Sequence, residues 1–504
     1  MAKRRNILFI TADQWRANCL SARGHAVVKT PTLDALARDG THFLNHFANT
    51  APCSPSRATL HTGLYQHNHR VAMNGTPLDK RHTNWALEMR RAGLDPALIG
   101  YTDQTPDPRG LTPDDPRLRT YEGVLPGLSV VAHVGMESPG PWADYLRGKG
   151  YDVPEDERFL IWMREQGPEW EDGAPHPRPF VVKAEDNDTA WPVDQAIDFV
   201  RARKDTDWVL HLSLLRPHPP WIASEPWNRH YDPAAMPESR RRETHRDEGE
   251  QHPWLAFELA NDISRAPRNP KKLARLKAVY YGLMAEVDHH LGRLFATLRQ
   301  EGVWDDTLIV FTSDHGEMMG DHWMLGKSGY FDQAFAVPLI VRDPTARAKG
   351  GRIDAFSEAV DVMPTLLTHL GLPVPPQCDG RALQPFLEGT VPTNWRDAAH
   401  WEFDFRDVSD DAAERALGLS LDTCNLTVRR TASAKYVHFA GLPPLYFDLA
   451  KDPHEFENRA NDPACAAAML KEAQALLSWR LSNGDRTLTH YMASENGLLQ
   501  RGAR

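Results

Sequence analysis

The chain has 504 residues, with 41% hydrophobic and 25% charged content, enough for one large domain and a smaller one. Its formal net charge of −10 leaves no basic surplus to neutralise phosphates, which argues against a nucleic-acid partner. No stretch approaches the ~20 apolar residues of a membrane helix, and five unpaired-looking cysteines fit a reducing compartment without a disulfide framework.

The basic start Met1–Arg5 is followed by an apolar run, Ile7–Ile10, that is too short for a signal peptide, so a cytoplasmic location is expected. Asn6–Thr11 reads as a buried parallel strand that ends abruptly at Asp13-Gln14. In open α/β sheets that edge is where ligands bind. Pro31–Asp39 has helical spacing, and Thr41–Ala48 is a second strand that runs into Pro52-Cys53-Ser-Pro55-Ser-Arg57. Pro55 is expected to fix a turn, with a helix starting from Arg57. A thiol at such a helix mouth, beside a guanidinium, is expected to ionise easily. The bland alternative is a buried structural cysteine.

Trp85–Ala92 reads as a helix and Pro96–Tyr101 as a strand. From Thr105 to Arg178, proline, glycine, tryptophan and charge mix without period, which predicts a long insertion over a site. Pro192–Arg203 is helical, and Asp207–Leu215 is a strand ending in Arg216-Pro-His218. Pro219–Pro267 looks irregular, and with the insertion it is expected to shape the substrate pocket. Lys272–Arg299 is the longest helix, Thr307–Thr312 and Val337–Val341 are strands, and Asp361–Leu370 is a short helix. This alternation predicts an α/β fold with a large, mostly parallel sheet flanked by helices over residues 1–376. Beyond Pro376 the texture changes. Leu426–Arg430, Lys435–Phe439 and Leu445–Leu449 read as an antiparallel sheet, followed by an alanine-rich helix over Ala464–Leu481 and a polar tail. Residues 377–504 are therefore expected to form a smaller C-terminal α+β domain.

Asp13-Gln14, Asp314-His315 and the Cys53 loop all lie at predicted strand ends. Carboxylates with an amide and an imidazole suit Ca²⁺, Mg²⁺ or Mn²⁺. Taken singly, each is more often a helix cap or turn residue.

Cys53-x-Pro-Ser-Arg57 with Leu60-x-Thr-Gly63 resembles the signature of the sulfatase family, in the alkaline phosphatase superfamily. Ser313-Asp-His-Gly-Glu317 with Gly320-Asp-His322 and Lys327 resembles the second signature, and Leu445–Asn458 the closing one. Ala12–Arg16, Cys53–Arg57 and Thr105–Arg109 look most like bacterial phosphonate monoester hydrolases and promiscuous arylsulfatases, with choline sulfatases as near relatives. The resemblance implies an alkaline-phosphatase-like fold. It also implies conversion of Cys53 to Cα-formylglycine by a formylglycine-generating enzyme, and one divalent metal held by Asp13, Gln14, Asp314, His315 and the modified Cys53. Arg57 would hold the formylglycine, Asn74 would lie near metal and substrate, and His218 and Lys327 would face a small anionic ester. Tyr101 stands where many sulfatases have lysine. Asp103 departs from the usual Lys-x-His or Tyr-x-Thr. It is expected to add negative charge, act as a base on the hydrate, or face away as a cap.

The implied activity is sulfate ester hydrolysis with promiscuous phosphonate monoester and phosphodiester hydrolysis. The alternatives are a dedicated phosphonate hydrolase, a choline sulfatase, or a silent metal-binding protein that keeps Cys53 as a thiol. The tail and the resemblance suggest a homodimer or homotetramer. His61, His67, His69 and one of His289-His290 are expected to be structural or surface residues rather than ligands.

Overall fold

The computed structural model describes residues 5–137, 140–154, 162–164, 177–347 and 349–501. Parts of the expected insertion (138–139, 155–161 and 165–176) lie outside them.

Strand β1 (Asn6–Ala12) is buried along its whole length. Its alternate side chains feed two cores, as a strand covered on both faces must. Leu8, Ile10 and Ala12 pack among Leu33, Leu291 and Leu294. Those come from the helices Pro31–Asp39 and Pro270–Gln300, and the helix Ala190–Arg203 joins the same layer. Ile7 and Phe9 point the other way, towards Leu60, Trp85 and Met363. Those belong to the helices Cys53–Thr62, Trp85–Arg91 and Val362–His369.

The other strands are β2 (Thr41–Phe47), β3 (Thr50–Ala51), β4 (Pro96–Gly100), β5 (Ser129–His133), β6 (Val209–Leu214), β7 (Thr307–Thr312), β8 (Leu339–Arg342) and β9 (Gly351–Glu358). The large sheet has the order β5-β4-β6-β1-β7-β8-β2-β9. Only β8 runs against its neighbours, so the sheet is mostly parallel, as the alternation predicts. The C-terminal ends of β1, β4, β6 and β7 therefore open on one edge.

A second sheet, β13-β12-β11-β10-β3, is built from β10 (Ala398–Asp404), β11 (Asn425–Thr431), β12 (Ala434–Phe439) and β13 (Leu445–Asp448). Its four C-terminal strands are antiparallel. Its fifth member, β3, pairs in parallel with β10 through Glu402 and Phe403 and comes just before Cys53. A helix over Ala466–Ser482 packs on this sheet.

Besides the two-residue β3 and the tail, three strands of the two main sheets escape the sequence reading. β5 lies inside the expected insertion, β9 carries an edge pattern of exposed polar residues, and β10 carries His400 and Glu402 among its apolar residues. The region expected to be irregular, 219–267, contains the helices His245–Gly249 and Pro253–Ala260. The tail forms an exposed hairpin of Tyr491–Ser494 with Gly497–Gln500.

Glu402, on β10, ties the second sheet to the segment after the cysteine motif and to the helix Ala466–Ser482. Its Oε2 accepts from the backbone N–H of His67 at 2.9 Å and lies 2.9 Å from His67 Nδ1, while Oε1 pairs with Arg480. Burial works against its charge, but His67 and Arg480 outweigh burial and hold the carboxyl at about 2 rather than 4.5. A depressed carboxyl stabilises the fold above its unfolded value and loses that contribution as pH falls through its folded value. Glu402→Gln is therefore expected to lower Tm at pH 7. The gap from the unsubstituted protein should narrow as pH falls from 4.5 towards about 2 in thermal unfolding followed by circular dichroism. A gap that stays constant over that range would remove this role from Glu402.

Candidate active site

The apolar runs of β1 and β7 stop where the polar residues begin, which places Asp13, Gln14, Asp314 and His315 side by side at one edge. Both strands are buried, and so are these four side chains. Cys53 enters from the other side as the first residue of its helix. The helix begins at Cys53 rather than at Arg57, with Pro55 in its first turn, where a missing N–H costs nothing. Cys53 Sγ lies 3.3 Å from His315 Nε2 and accepts from Lys327 Nζ at 3.2 Å.

Arg57, one turn along that helix, is fully buried. Its Nη2 donates to Asp13 Oδ2 at 3.0 Å and its Nε to Asp314 Oδ2 at 3.0 Å. Nη1 donates to Ser213 Oγ at 2.8 Å and to the carbonyl of Tyr101 at 3.1 Å. The guanidinium lies 4.2 Å over the Tyr101 ring, and Tyr101 OH donates to Asp13 Oδ2 at 2.6 Å. Asp103 faces inward: its Oδ2 is 3.4 Å from Arg57 Nε, and neither carboxylate oxygen accepts a hydrogen bond. It is not an outward-facing cap. Burial drives its carboxyl well above the usual range, and Glu122, itself pushed by burial to about 7, adds to this.

This arrangement overturns the expectation of an easily ionised thiol. Burial and the nearby Asp13 carboxylate push the Cys53 thiol well above its ordinary value. The helix start and Lys327 favour the thiolate, but the acids and the lack of water favour the thiol. Arg57 cannot help, because it is bound to Asp13 and Asp314.

Lys327 Nζ also donates to Gln14 Oε1 at 2.9 Å and lies 3.2 Å from His218 Nε2. Burial, with the ammonium beside it, pulls the His218 imidazole down to about 3. His218 is thus neutral, with Nε2 accepting from Lys327 and Nδ1–H directed at the Pro219 carbonyl, 2.5 Å away. Asn74 sits one residue from the thiol, where its Oδ1 accepts from the Ser54 N–H at 2.9 Å.

One ligand atom each from Asp13, Cys53, Asp314 and His315 lies within 4.8 Å of the others. Asp13 Oδ1 is buried and accepts no hydrogen bond. His315 Nδ1 lies 3.2 Å from the Gly316 carbonyl, and burial lowers its pKa, so a neutral ring turns Nε2 towards the cluster. Gln14 Nε2 donates to Glu317, which leaves its carbonyl oxygen facing Lys327. An orphaned carboxylate oxygen, a second carboxylate, an amide oxygen and an imidazole nitrogen fit a hard divalent cation.

A sequence profile described as Sulfatase matches residues 5–372. The chain belongs to the sulfatase family. A second profile, described as N-sulphoglucosamine sulphohydrolase, C-terminal, matches residues 320–481 of this sulfatase. It is 43% identical to the multifunctional alkaline phosphatase superfamily protein PehA of Trinickia caryophylli, over 99% of both chains. It is 28% identical to an arylsulfatase of Clostridium perfringens, over 90% of both. The crystal structure of the phosphonate monoester hydrolase of Agrobacterium radiobacter superposes with a TM-score of 0.92 at 48% identity, covering 99% of this chain and 100% of that one.

The fold thus brings Asp13, Gln14, Cys53, Arg57, Tyr101, Asp103, His218, Asp314, His315 and Lys327 into one cluster, with Asn74 at its margin through Ser54. His61 accepts from Trp85 Nε1, His67 pairs with Glu402, and His69 Nε2 is 3.0 Å from Thr59 Oγ1, so all three are structural. His289 is exposed and His290 buried. The sequence reading missed Glu317 and Ser213 as supports. Glu317 stands inside the quoted Asp-His-Gly-Glu motif, where its spacing was a usable signal. Ser213 sits in an apolar strand with no signal of its own. A cavity of about 630 Å³ opens over Gln14, His218 and Lys327. Its walls include Arg164, Trp221 and Phe257, from the two segments expected there, and Phe405 from the second sheet's edge, which was not foreseen.

If this cluster holds the metal, chelator-treated protein titrated with Mn²⁺ or Ca²⁺ is expected to take up one ion. Asp314→Ala should abolish uptake, and Glu317→Gln should weaken it by about 10–100-fold, by calorimetry and elemental analysis. Undiminished binding in Asp314→Ala would place the ion elsewhere.

Proposed function

We propose that this sulfatase hydrolyses phosphonate monoesters and phosphodiesters, and sulfate esters through the same site, after conversion of Cys53 to Cα-formylglycine. The observation that carries this reading is the setting of Cys53 Sγ, 3.2 Å from Lys327 Nζ and 3.3 Å from His315 Nε2 inside a four-residue ligand cluster. Placing phosphonate first rests on the full-length identity of 43% and 48% to PehA and the Agrobacterium enzyme, against 28% to the arylsulfatase.

The thiol itself is poorly suited to attack, being held in its neutral form by burial and by the Asp13 carboxylate. A hydrated aldehyde at this position supplies two hydroxyls on one carbon, one to attack phosphorus or sulfur and one whose deprotonation expels the product. A divalent cation held by Asp13, Gln14, Asp314, His315 and the modified residue supplies Lewis acidity at the attacked group. Arg57 helps keep Asp13 ionised and holds both Asp13 and Asp314 in place. Lys327 faces the ester oxygens and neutralises charge as it builds. Burial works against the Lys327 ammonium, but the surrounding acids, Asp13 and Asp314 among them, keep it protonated. It therefore has a proton for the departing oxygen, and His218 Nε2 holds that proton in line. The cavity walls of Trp221, Phe257 and Phe405 take up the leaving group. The site's polar end binds any tetrahedral anionic ester of the right size, so selection between phosphorus and sulfur is a matter of degree.

Protein made alongside a formylglycine-generating enzyme is expected to show the Cys53 peptide about 18 Da lighter than its thiol form. Turnover of matched aryl phosphonate and aryl sulfate esters should be higher in kcat/KM for the phosphonate, and Cys53→Ala should abolish both. A sulfate preference would reverse the order of substrates. An unshifted mass with no turnover would favour a silent metal-binding protein.

A further inference from the structure

His218 sits in a proline-rich loop, Arg216-Pro-His-Pro-Pro220, that has no regular hydrogen-bond ladder to hold it. The loop is nevertheless fixed from within. Arg216 is almost wholly buried, and its side chain turns back on its own loop. Nη1 donates to the His218 carbonyl at 3.0 Å and to the Pro220 carbonyl at 2.5 Å. One guanidinium nitrogen thus bridges the backbone on both sides of Pro219. A proline-rich segment has few N–H donors of its own: the Pro220 carbonyl also accepts from the Ile222 N–H at 2.8 Å, whereas the buried His218 carbonyl is satisfied by Arg216.

The guanidinium is anchored in turn. Arg216 Nε lies 2.7 Å from Asp188 Oδ2, with both side chains buried at 1% and 3% exposure. Asp188 lies just before the helix Ala190–Arg203. The preceding Asn187 accepts from the N–H of Thr189 at 3.0 Å and of Ala190 at 2.9 Å, while its amide nitrogen donates to Ser224 Oγ at 3.2 Å and to Glu286. The anchor is therefore seated on a capped helix start and on the long helix Pro270–Gln300. Neither Asp188 nor Arg216 is among the residues lining the cavity over Lys327.

We infer that Asp188 and Arg216 form a positioning pair for His218: they fix the His218 backbone so that Nε2 meets Lys327 Nζ and the proton is aimed at the departing oxygen. The inference rests on the proposed role of His218 and Lys327 in leaving-group departure. A buried ion pair is costly unless its geometry is good and its remaining donors are used. Here Nη1 is used by the two carbonyls of the catalytic loop. Nε meets Asp188 as a close ion pair without hydrogen-bond geometry, and Nη2 has no hydrogen-bond partner among the described residues, so the charge of Asp188 is what offsets burial of the guanidinium. Misplacing a proton donor by a fraction of an ångström weakens only the steps that need that proton. The pair should therefore matter most when the leaving group is a poor one.

The test compares one alkyl and one 4-nitrophenyl phosphonate ester in the intact, modified enzyme. Asp188→Asn and Arg216→Met are each expected to lose about tenfold more kcat/KM on the alkyl ester than on the 4-nitrophenyl ester, and His218→Ala to show the same bias more strongly. Adding Asp188→Asn to His218→Ala should then cause little further loss, because both act on one proton. Asp188→Asn keeps the shape of the side chain and guards against misfolding of Arg216→Met. If His218→Ala loses both activities equally, the reading of His218 falls, and the positioning inference with it. If His218→Ala shows the bias but Asp188→Asn and Arg216→Met do not, or if the losses simply add, the positioning inference alone is overturned.

Discussion

Everything at this site depends on one fully buried guanidinium. Arg57 joins β1, β7 and β6 by holding Asp13, Asp314 and Ser213 at once, and it does so from the first turns of the helix that presents Cys53. Two carboxylates brought together on one guanidinium would repel each other without it. Its planar fork fits them because guanidinium donors diverge at fixed angles, which a lysine ammonium cannot reproduce. The four-residue ligand cluster is thereby held together by the protein alone, and Cys53 is registered against the sheet edge by the same side chain.

The charges around Cys53 then divide the labour. Arg57 faces the acids from behind, and Lys327 faces the cavity. His218 stays neutral because it is buried beside that ammonium, so its Nε2 can accept a hydrogen bond from Lys327 without competing for the anionic ester. Asp103 adds a third carboxyl to a guanidinium already occupied by two. Burial favours its protonated form, which spares the substrate a further negative neighbour. The same surroundings that hold the thiol neutral suit a modified residue better than a thiolate nucleophile.

The two sheets are one functional unit. β3 ends one residue before Pro52 and pairs with β10, so the entry to the cysteine motif is fixed by the C-terminal sheet. The loop after β10 brings Phe405 over the cavity that opens on Lys327. The smaller sheet thus contributes a wall of the cavity, while the larger sheet carries the polar cluster beneath it.

The amino-acid sequence by itself determined the strands whose runs are continuously apolar, β1, β6 and β7, because a strand covered on both faces leaves a local record of its burial. It also determined which residue types stand at their ends and at the cysteine motif, and these are enough to identify the family. Polar edge strands such as β9 and the internal partner β10 left no such record, since their stability comes from neighbours distant in the chain. Only the tertiary structure decided that Cys53 is held as a neutral thiol, because the acids that raise its pKa arrive from β1 and β7. It also decided that Asp103 turns inward onto Arg57, that Glu317 orients Gln14, and that Asp188 and Arg216 hold the His218 loop. Each of these is an electrostatic or hydrogen-bonding relation between segments far apart in sequence, and such relations exist only once the chain has folded.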